Sequence, residues 1–361
     1  MHGYGKDSHV KIVNAVYGDS TGGRWAATVK TAQLLAGLGH EVILLIDPRD
    51  EGKIPDPGTV PIEVVRLRNS GHYDLLASFR AARLLRQRGV DAVIAHSGRA
   101  VHLLKRATPA RVPVIAFNHS HNIKRTLKAD AFFCLTPYMK QIVDAATGGS
   151  KPAYVISNAV SVPAESELGR EGSSLFTVGA ISRLVAGKGL ETLVAALALL
   201  ARRGGSFKAR LAGDGDLRPA LERLVAESNL SGCVEFLGWL DDAGKRQFYR
   251  SVDVVCYSSV RDVQPLTVLE AFGWGKALAG SDVVGASSCY AHEQTALVTR
   301  AGDAEQLAAA LERLSRDVEL RNRLGRNARQ QALASHADAV VAGMLEQRIQ
   351  ELVAQFRRGC V

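Results

Sequence analysis

The sequence predicts an α/β protein of two doubly wound domains, each a parallel sheet with helices on both faces. Three observations predict this class. Short apolar runs rich in Val and Ile alternate with helical stretches, which is the rhythm of parallel βαβ units. A stretch rich in Ser, Pro, Glu and Gly at 160–174 interrupts that rhythm, which then restarts. The chain of 361 residues is also longer than one core usually supports.

The first half opens with an apolar run, a Gly-rich turn and a helix that ends before Gly39, a residue type common just after helix ends. The next strand, 41–46, is continuous in Val, Ile and Leu, as expected of a strand buried on both faces. The expected strands are 10–16, 41–46, 91–95, 112–117 and 131–135, and the expected helices are 24–38 and 73–88.

The second half repeats the pattern. The expected strands are 175–179, 207–212, 234–237, 252–257 and 276–280, and the expected helices are 190–202, 217–227, 266–274, 303–314 and 339–356. We therefore expect an N-terminal domain at 1–162, a linker at 163–172 and a C-terminal domain at 173–338. The segment 339–361 is a long helix whose apolar spacing suits packing back on the first domain. Two such domains imply a cleft where the carboxyl ends of their strands face each other.

Composition argues against several classes of protein. Apolar residues make up 47% and charged residues 22%, a profile typical of soluble globular proteins. No apolar run approaches the roughly 20 residues of a membrane-spanning helix, and the polar residues 1–9 lack the apolar core of a signal peptide. The five cysteines are scattered without a C-x-x-C pair, which argues against a disulfide framework and a zinc site. A cytoplasmic protein fits these features.

Basic residues concentrate in one region. Residues 60–130 hold thirteen Lys and Arg against four Asp and Glu, a net charge of +9 that equals the formal charge of the whole chain. Such a region attracts anionic partners: nucleic acid, an acidic lipid surface or a phosphorylated substrate. Alternatively, the arginines only solubilise surface helices. No helix-turn-helix, zinc-finger or RNP motif favours nucleic acid.

The segment 178–193 combines a glycine turn with two cations. A strand leads into the turn, Arg183 and Lys188 follow, and a helix begins directly afterwards. Backbone N–H groups of such a turn, together with two cations, form an anion site. The spacing is neither that of a Walker A loop nor G-x-G-x-x-G. A plain strand-to-helix loop is the alternative.

The segment 258–273 places two carboxylates beside a strand end. Asp262 lies in the loop and Glu270 in the next helix, with seven residues between them. Carboxylates at this edge of a sheet suit hydrogen bonds to sugar or ribose hydroxyls. The N–H groups of Leu266 and Thr267, at the helix start, suit a diphosphate. The alternative makes Asp262 an ordinary loop residue and Glu270 a solvated helix position.

Glycines and histidines follow strand ends in the first half. Gly22 and Gly23 stand between the first strand and the first helix, where glycine allows the backbone to approach a ligand closely. His119 follows the strand at 112–117 and is a candidate for a histidine facing the cleft. His121 is an equally polar neighbour, and His96 follows a strand in the same way. A single histidine in such a place is more often structural than catalytic.

Taken in order, these segments resemble the retaining GT-B glycosyltransferases of family four, which include bacterial lipopolysaccharide and phosphatidylinositol sugar transferases. The resemblance runs over nearly the whole chain. It is carried by Gly22-Gly23, Asn118-His119, the segment 155–160, Ser182-Arg183 with Lys188-Gly189, Ala212-Gly213-Asp214-Gly215 and the segment from Gln264 to Glu270. Each segment alone is ordinary, whereas the ordered set is specific.

The resemblance implies two Rossmann-like domains facing across a cleft and a transferase that needs neither a cofactor nor a metal ion. Arg183 and Lys188 would neutralise the leaving diphosphate in place of a metal. Glu270 would hold the ribose hydroxyls, and Asp262 would contact the transferred sugar. The configuration at the anomeric carbon would be retained, with stabilisation of the leaving group by fixed cations as the main catalytic contribution.

The resemblance also implies partners. Gly22 and Gly23 would approach the phosphates of a nucleotide-diphosphate sugar, with UDP favoured over GDP, and His119 would line the reaction centre. The acceptor would be a glycan or a lipid-linked glycan such as lipopolysaccharide.

Relatives that act on lipid-linked acceptors dock basic N-terminal helices on anionic membranes. The helix at 73–88 has an apolar face and many arginines, so we hypothesise peripheral attachment at the inner leaflet. Alternatively, that face, which includes Leu75 and Phe79, covers the helix's own sheet.

The sequence departs from the family pattern in three places. Asp262 stands where the family usually has Glu, Ala159 replaces a usual Gly, and Ser287-Ser288 replaces a common Pro-Glu pair. The shorter Asp262 side chain changes which sugar hydroxyl it can reach. A sugar-nucleotide epimerase of the same architecture and a basic nucleic-acid-binding protein are the alternative functions.

Overall fold

The computed structural model describes residues 9–18, 22–53, 60–169 and 175–359. The chain divides into two compact units, Met1–Ala159 together with Asp338–Val361, and Val160–Ala337. The predicted linker at 163–172 lies in the second unit, and its last residues, 170–172, fall outside the described residues.

A seven-stranded sheet forms the centre of the described part of the first unit. Its strands are Lys11–Ala15 (β1), Glu41–Ile46 (β2), Ile62–Arg66 (β3), Ala92–Ala95 (β4), Val114–Asn118 (β5), Ala131–Cys134 (β6) and Ala153–Val155 (β7). The order is β3-β2-β1-β4-β5-β6-β7, and each neighbouring pair is parallel. The chain thus winds outward from a central β1 in both directions, which is the doubly wound arrangement.

The helices of the first unit include the last helix of the chain. They are Gly23–Gly37 (α1), Leu75–Arg88 (α2), Gly98–Ala107 (α3), Pro137–Thr147 (α4) and the C-terminal helix, Asp338–Arg357. The C-terminal helix packs against α1. Lys30 of α1 pairs with Asp338 at 2.7 Å, and the buried His40 contacts Glu346.

The second unit is built on the same plan. Its described strands are Phe176–Ile181 (β8), Phe207–Ala212 (β9), Val234–Gly238 (β10), Val254–Tyr257 (β11), Ala277–Ser281 (β12) and Ala296–Thr299 (β13). Their order, β10-β9-β8-β11-β12-β13, repeats the first six positions of the first sheet. The helices are Leu190–Arg202 (α5), Arg218–Glu227 (α6), Asp242–Ser251 (α7), Leu266–Gly273 (α8), Ala304–Arg316 (α9) and Val318–Ser335 (α10).

Central strands of both sheets are buried along their whole length because helices cover both faces. All residues of β4 and β11 are buried, for example. Several helices begin at a side chain that accepts a hydrogen bond from the first turn, which satisfies an otherwise unpaired N–H group. These N-cap residues are Asp74, Ser97, Thr136, Asp241, Asp303 and Asp317. The predicted α/β class with two doubly wound parallel sheets is confirmed.

Helix α2 buries a different face from the one its sequence suggests. Ala77, Ser78, Ala81 and Leu85 face the interior. Leu75, Leu76 and Phe79 are 71%, 60% and 65% exposed, and the neighbouring Tyr73 is 80% exposed. The large apolar residues at the start of α2 therefore do not cover the helix's own sheet.

Two further findings concern the described residues alone. No helix there is both long enough and apolar enough to cross a membrane. The cysteines there are free thiols, namely Cys134, Cys233, Cys256 and Cys289.

Candidate functional site

The loop after β8 is held by the loop after β9. The Ser182 amide donates to Ala212 O at 3.0 Å, and the Leu184 amide donates to Asp214 O at 2.9 Å. A Cβ at Gly213 would lie 1.8 Å from Ser182 O. Glycine is therefore required at Gly213, because the two backbones run in contact there. This packing fixes the backbone on both sides of Arg183.

The end of the same loop is held by the loop after β11. The Ser258 hydroxyl donates to Lys188 O at 3.1 Å, and the Ser259 hydroxyl donates to Gly187 O at 3.0 Å. Gly189, the residue before α5, has φ +64°, and a Cβ there would lie 1.9 Å from Ser258 O. Serine hydroxyls and the close approach at Gly189 thus join the two predicted motifs, 178–193 and 258–273, because β8 and β11 are neighbours in the sheet.

The structure brings Lys188 and Asp262 together. Lys188 Nζ lies 2.6 Å from Asp262 Oδ2, with 24% and 25% of the two side chains exposed. Arg183 is exposed, and no described residue pairs with its guanidinium. The loop thus presents one cation already paired with a carboxylate and a second cation available to an external anion.

Glu270 has its own set of partners on α7. Lys245 Nζ lies 2.9 Å from Glu270 Oε1, and the Tyr249 hydroxyl donates to Glu270 Oε2 at 2.9 Å. The Tyr249 ring is buried and stacks on Trp274, with centroids 5.8 Å apart and planes at 15°. Burial, reinforced by the Glu270 charge, raises the pKa of Tyr249 well above its usual value, so the hydroxyl stays a donor. Glu270 is therefore anchored and is not the freely solvated helix position of the alternative interpretation.

The start of α8 is tied to the end of β8. The Thr267 hydroxyl donates to Ile181 O at 3.0 Å, two residues before Arg183. Leu266 and Thr267 occupy the first turn, whose amides have no preceding turn to bond to. Amides of this kind, next to the positive end of a helix, suit an anion.

The predicted glycine site of the first unit is described only in part. Gly22 has φ +74° and precedes α1, which begins at Gly23, and Gly22 O accepts from the Ala26 amide at 3.2 Å. A positive φ explains the choice of glycine at Gly22. The rest of the predicted turn, 19–21, lies outside the described residues.

His119 contacts His96, the other histidine that directly follows a strand. His119 Nε2 lies 2.8 Å from His96 Nδ1, and His96 Nε2 lies 2.8 Å from Asn14 Oδ1. Burial, with the nearby charge of Arg24, lowers the pKa of His119 to about 3. Burial, with His119 and Arg24 nearby, holds the pKa of His96 well below its usual value. Both rings are therefore neutral near pH 7. His121 is half-buried and packs edge-on against Tyr138 instead, with centroids 5.4 Å apart.

Sequence reasoning missed Lys245, Tyr249 and Asn14. The four-residue spacing of Lys245 and Tyr249 puts them on one helix face, but nothing local indicated Glu270 as their partner. Among the described residues, no group of three or more His, Cys, Asp or Glu is arranged to hold a metal ion.

Family comparisons match both halves of the chain. Residues 21–162 match the family model described as Glycosyltransferase Family 4. Residues 169–331 match the model described as Glycosyl transferases group 1. The predicted assignment to the transferases, rather than to the epimerases, is therefore confirmed.

Curated relatives align with most of the chain. A lipopolysaccharide core biosynthesis glycosyltransferase, LpsE, of Rhizobium meliloti is 26% identical over 319 residues, which are 87% of this chain and 92% of the relative. A phosphatidyl-myo-inositol mannosyltransferase of Mycolicibacterium smegmatis is 26% identical over 332 residues, 84% of this chain and 83% of the relative.

Solved structures show the same fold. HepE of Anabaena, crystallised with UDP and glucose, aligns with a TM-score of 0.75 at 19% identity, covering 95% of this chain and 100% of HepE. Two family matches, one on each unit, and a shared two-sheet architecture lead to one conclusion: the chain belongs to the family-four glycosyltransferases and has the GT-B fold.

Proposed function

We propose that the protein transfers a sugar from a nucleotide-diphosphate sugar, with UDP favoured over GDP, to a glycan or lipid-linked acceptor of the lipopolysaccharide type. The observation that carries the proposal is the loop of Arg183 and Lys188, fixed by two neighbouring loops beside the start of α8. The UDP and glucose bound to HepE and the lipopolysaccharide core named for LpsE support the choice of donor and acceptor.

The second unit would supply the charged contacts to the donor. Arg183 and Lys188 would face the diphosphate, which would also accept hydrogen bonds from the amides of Leu266 and Thr267. Fixed cations and amides stabilise the charge that develops as the diphosphate leaves, so no metal ion or other cofactor is required in this scheme. Glu270 would bind the ribose hydroxyls.

The transfer would retain the configuration of the sugar. The bond from the anomeric carbon to the diphosphate oxygen breaks, and the acceptor oxygen bonds to the same face of that carbon. The proton of the acceptor hydroxyl passes to the departing phosphate oxygen, so charge and atoms balance. Asp262 would orient the sugar, Gly22 and Gly23 would approach the donor phosphates, and His119 would line the reaction centre.

We also propose that α2 attaches the protein to an anionic membrane surface at the inner leaflet. Tyr73, Leu75, Leu76 and Phe79 form an exposed apolar patch, which we call the α2 patch. Arg80, Arg83, Arg86 and Arg88 follow on the same helix and are exposed. Apolar residues beside arginines match the boundary between acyl chains and anionic headgroups. Co-sedimentation with vesicles tests this surface.

The experiment that tests the donor site compares two double variants. We expect UDP to raise the thermal unfolding temperature of the wild-type protein in EDTA, more than GDP, ADP or CMP, and Arg183→Ala/Lys188→Ala to lose that effect. Lys208→Ala/Arg223→Ala removes two exposed cations from the same unit and should keep it. Equal responses of both double variants would remove the basis of the proposal.

Product analysis tests the reaction itself. With a lipid-linked or oligosaccharide acceptor, NMR of the product should show the anomeric configuration of the donor. A product of inverted configuration would contradict the proposed mechanism.

A further inference from the structure

Three neighbouring strands of the first sheet end in side chains that hydrogen-bond in series. Asn14 lies on β1, His96 follows β4 and His119 follows β5, and these strands are adjacent in the order β1-β4-β5. Both contacts, Asn14 Oδ1 to His96 Nε2 and His96 Nδ1 to His119 Nε2, measure 2.8 Å. The planes of the two histidine rings differ by 20°, which suits a hydrogen bond between ring edges.

The backbone fixes the direction of the first bond. Asn14 Nδ2 donates to Thr28 O at 2.8 Å. A carbonyl oxygen only accepts, so the amide nitrogen of Asn14 must face Thr28 and its oxygen must face His96. That oxygen also only accepts, and Nε2 of His96 therefore carries the hydrogen.

The direction of the second bond follows from the first. A neutral imidazole has one N–H group, so Nδ1 of His96 is an acceptor. His119 Nε2 must then carry the hydrogen, which leaves the lone pair of a neutral His119 on Nδ1. No described residue bonds to that Nδ1, and the His119 side chain is half-buried.

We infer that Asn14 and His96 are positioning residues that hold His119 in a single tautomer, with Nδ1 as a hydrogen-bond acceptor for a ligand hydroxyl. An unprotonated nitrogen can accept a hydrogen bond from a hydroxyl but has no hydrogen to donate to a phosphate oxygen. The hydrogen-bond series therefore assigns His119 to the sugar part of a ligand. The tautomer is a property of the protein alone, whereas its use in transfer rests on the function proposed above.

The tautomer is measured directly by NMR of the full chain labelled with ¹⁵N-histidine at pH 7.5. The signals of His119 are those that disappear in His119→Gln. The wild-type protein should show His119 protonated on Nε2 and unprotonated on Nδ1.

His96→Leu and Asn14→Leu should give mixed His119 tautomers. They should lower kcat roughly ten- to hundredfold, the range seen when a metal-bound histidine loses the partner that fixes its tautomer. UDP affinity should stay unchanged within about twofold. His102→Leu, which removes a half-buried histidine outside the series, should change neither.

A wild-type His119 protonated on Nδ1 would overturn the inference, even if the variants fail to fold. So would an unchanged tautomer and unchanged kcat in both leucine variants. The expected tautomer in a protein that turns over no nucleotide sugar would uphold the tautomer and overturn the proposed function instead.

Discussion

Lys188 and Asp262 form an ion pair, with Nζ 2.6 Å from Oδ2. We have proposed one of these groups for the diphosphate and the other for the sugar. A bound diphosphate must therefore share the lysine with the carboxylate or take it over. Arg183, which no described carboxylate pairs with, is the cation that can meet the diphosphate without such an exchange.

Asp262→Asn should separate binding from transfer. Removing the carboxylate charge releases Lys188, so UDP alone should bind about three- to tenfold more tightly, the range expected when a charge-assisted contact is exchanged. Sugar transfer should fall because the contact to the sugar is weakened. Isothermal titration calorimetry and a transfer assay measure the two effects. Glu305→Gln, which removes an exposed partner of Arg203 in the same unit, should leave both unchanged. Weaker UDP binding by Asp262→Asn would show that the pair does not compete with the diphosphate.

Tyr249→Phe should remove one of the hydrogen bonds that anchor Glu270 while keeping the ring that stacks on Trp274. The lost hydrogen bond should lower the free energy of unfolding by about 1 kcal/mol. The donor KM should rise several-fold while kcat changes less, because Glu270 is proposed to bind the ribose. Tyr290→Phe is the matched control, since its buried hydroxyl donates to Ser281 O in the same unit. An equal rise in donor KM for both variants would argue against a special role for Tyr249.

Gly189→Ala should disrupt the junction between the two donor loops. The added methyl group would lie 1.9 Å from Ser258 O at φ +64°, so the clash adds to backbone strain. We expect the free energy of unfolding to fall by more than about 3 kcal/mol, or UDP binding to be lost. Gly204 has φ +81° but open space around it, and Gly204→Ala should cost about 1 kcal/mol. Urea unfolding compares the two, and equal losses would mean that the close approach does not matter.

Substitutions in the α2 patch should release the protein from membranes. Leu75→Ser/Leu76→Ser/Phe79→Ser should lower co-sedimentation with phosphatidylglycerol vesicles by roughly tenfold or more, because binding scales with buried apolar area. Trp239→Ser/Val284→Ser/Val318→Ser removes three exposed apolar side chains from the second unit and serves as the control. No binding by the wild-type protein, or equal binding by both triple variants, would rule out the α2 patch as the attachment site.

Buried histidines should make stability fall in mild acid. Burial lowers the pKa of His336 to about 4, and the pKa of His119 is about 3, both below the value near 6.5 of an unfolded chain. Between pH 6.5 and 4 the unfolded state therefore binds more protons, so the free energy of unfolding decreases as the pH falls through that window. Urea unfolding of wild type and His336→Gln at pH 7.5, 6 and 5 measures this, and the variant should show the smaller decrease. Parallel pH profiles would contradict the assignment to His336.

Strong local patterns allowed much of the fold to be predicted. The strands Glu41–Ile46 and Phe207–Ala212 and the helix Leu190–Arg202 match their predicted bounds. Each has a clear apolar pattern and is followed by a polar residue or by glycine. Helix α10 was missed. Its buried stripe is narrow, since Leu320 and Leu324 are followed by Ala328 and Ala332. Small alanines contribute little to an apolar pattern, and the charged residues between them dominate the sequence.

The candidate site was predictable only where its parts are local. Glycines and cations of one loop indicated Arg183 and Lys188, and carboxylates just after a strand end and in the next helix indicated Asp262 and Glu270. The partners of these residues come from separate elements: Lys245 reaches Glu270 from α7. Likewise, Asn14 meets His96 across a sequence separation of 82 residues. Such contacts depend on strand order, which no local pattern contains.

The helix Asp338–Arg357 affects the order in which the two units can fold during synthesis. Lys30 binds Asp338, and Asp91 binds Arg357, so the first unit is completed by residues that leave the ribosome after the whole of the second unit. The second unit, by contrast, is one continuous stretch, Val160–Ala337. It can therefore finish folding before the unit that precedes it, the reverse of the usual N-terminal-first order. During synthesis the surface of α1 that receives this helix has no cover, and a chain that stops at Ala337 would carry an intact second unit on an unfinished first one.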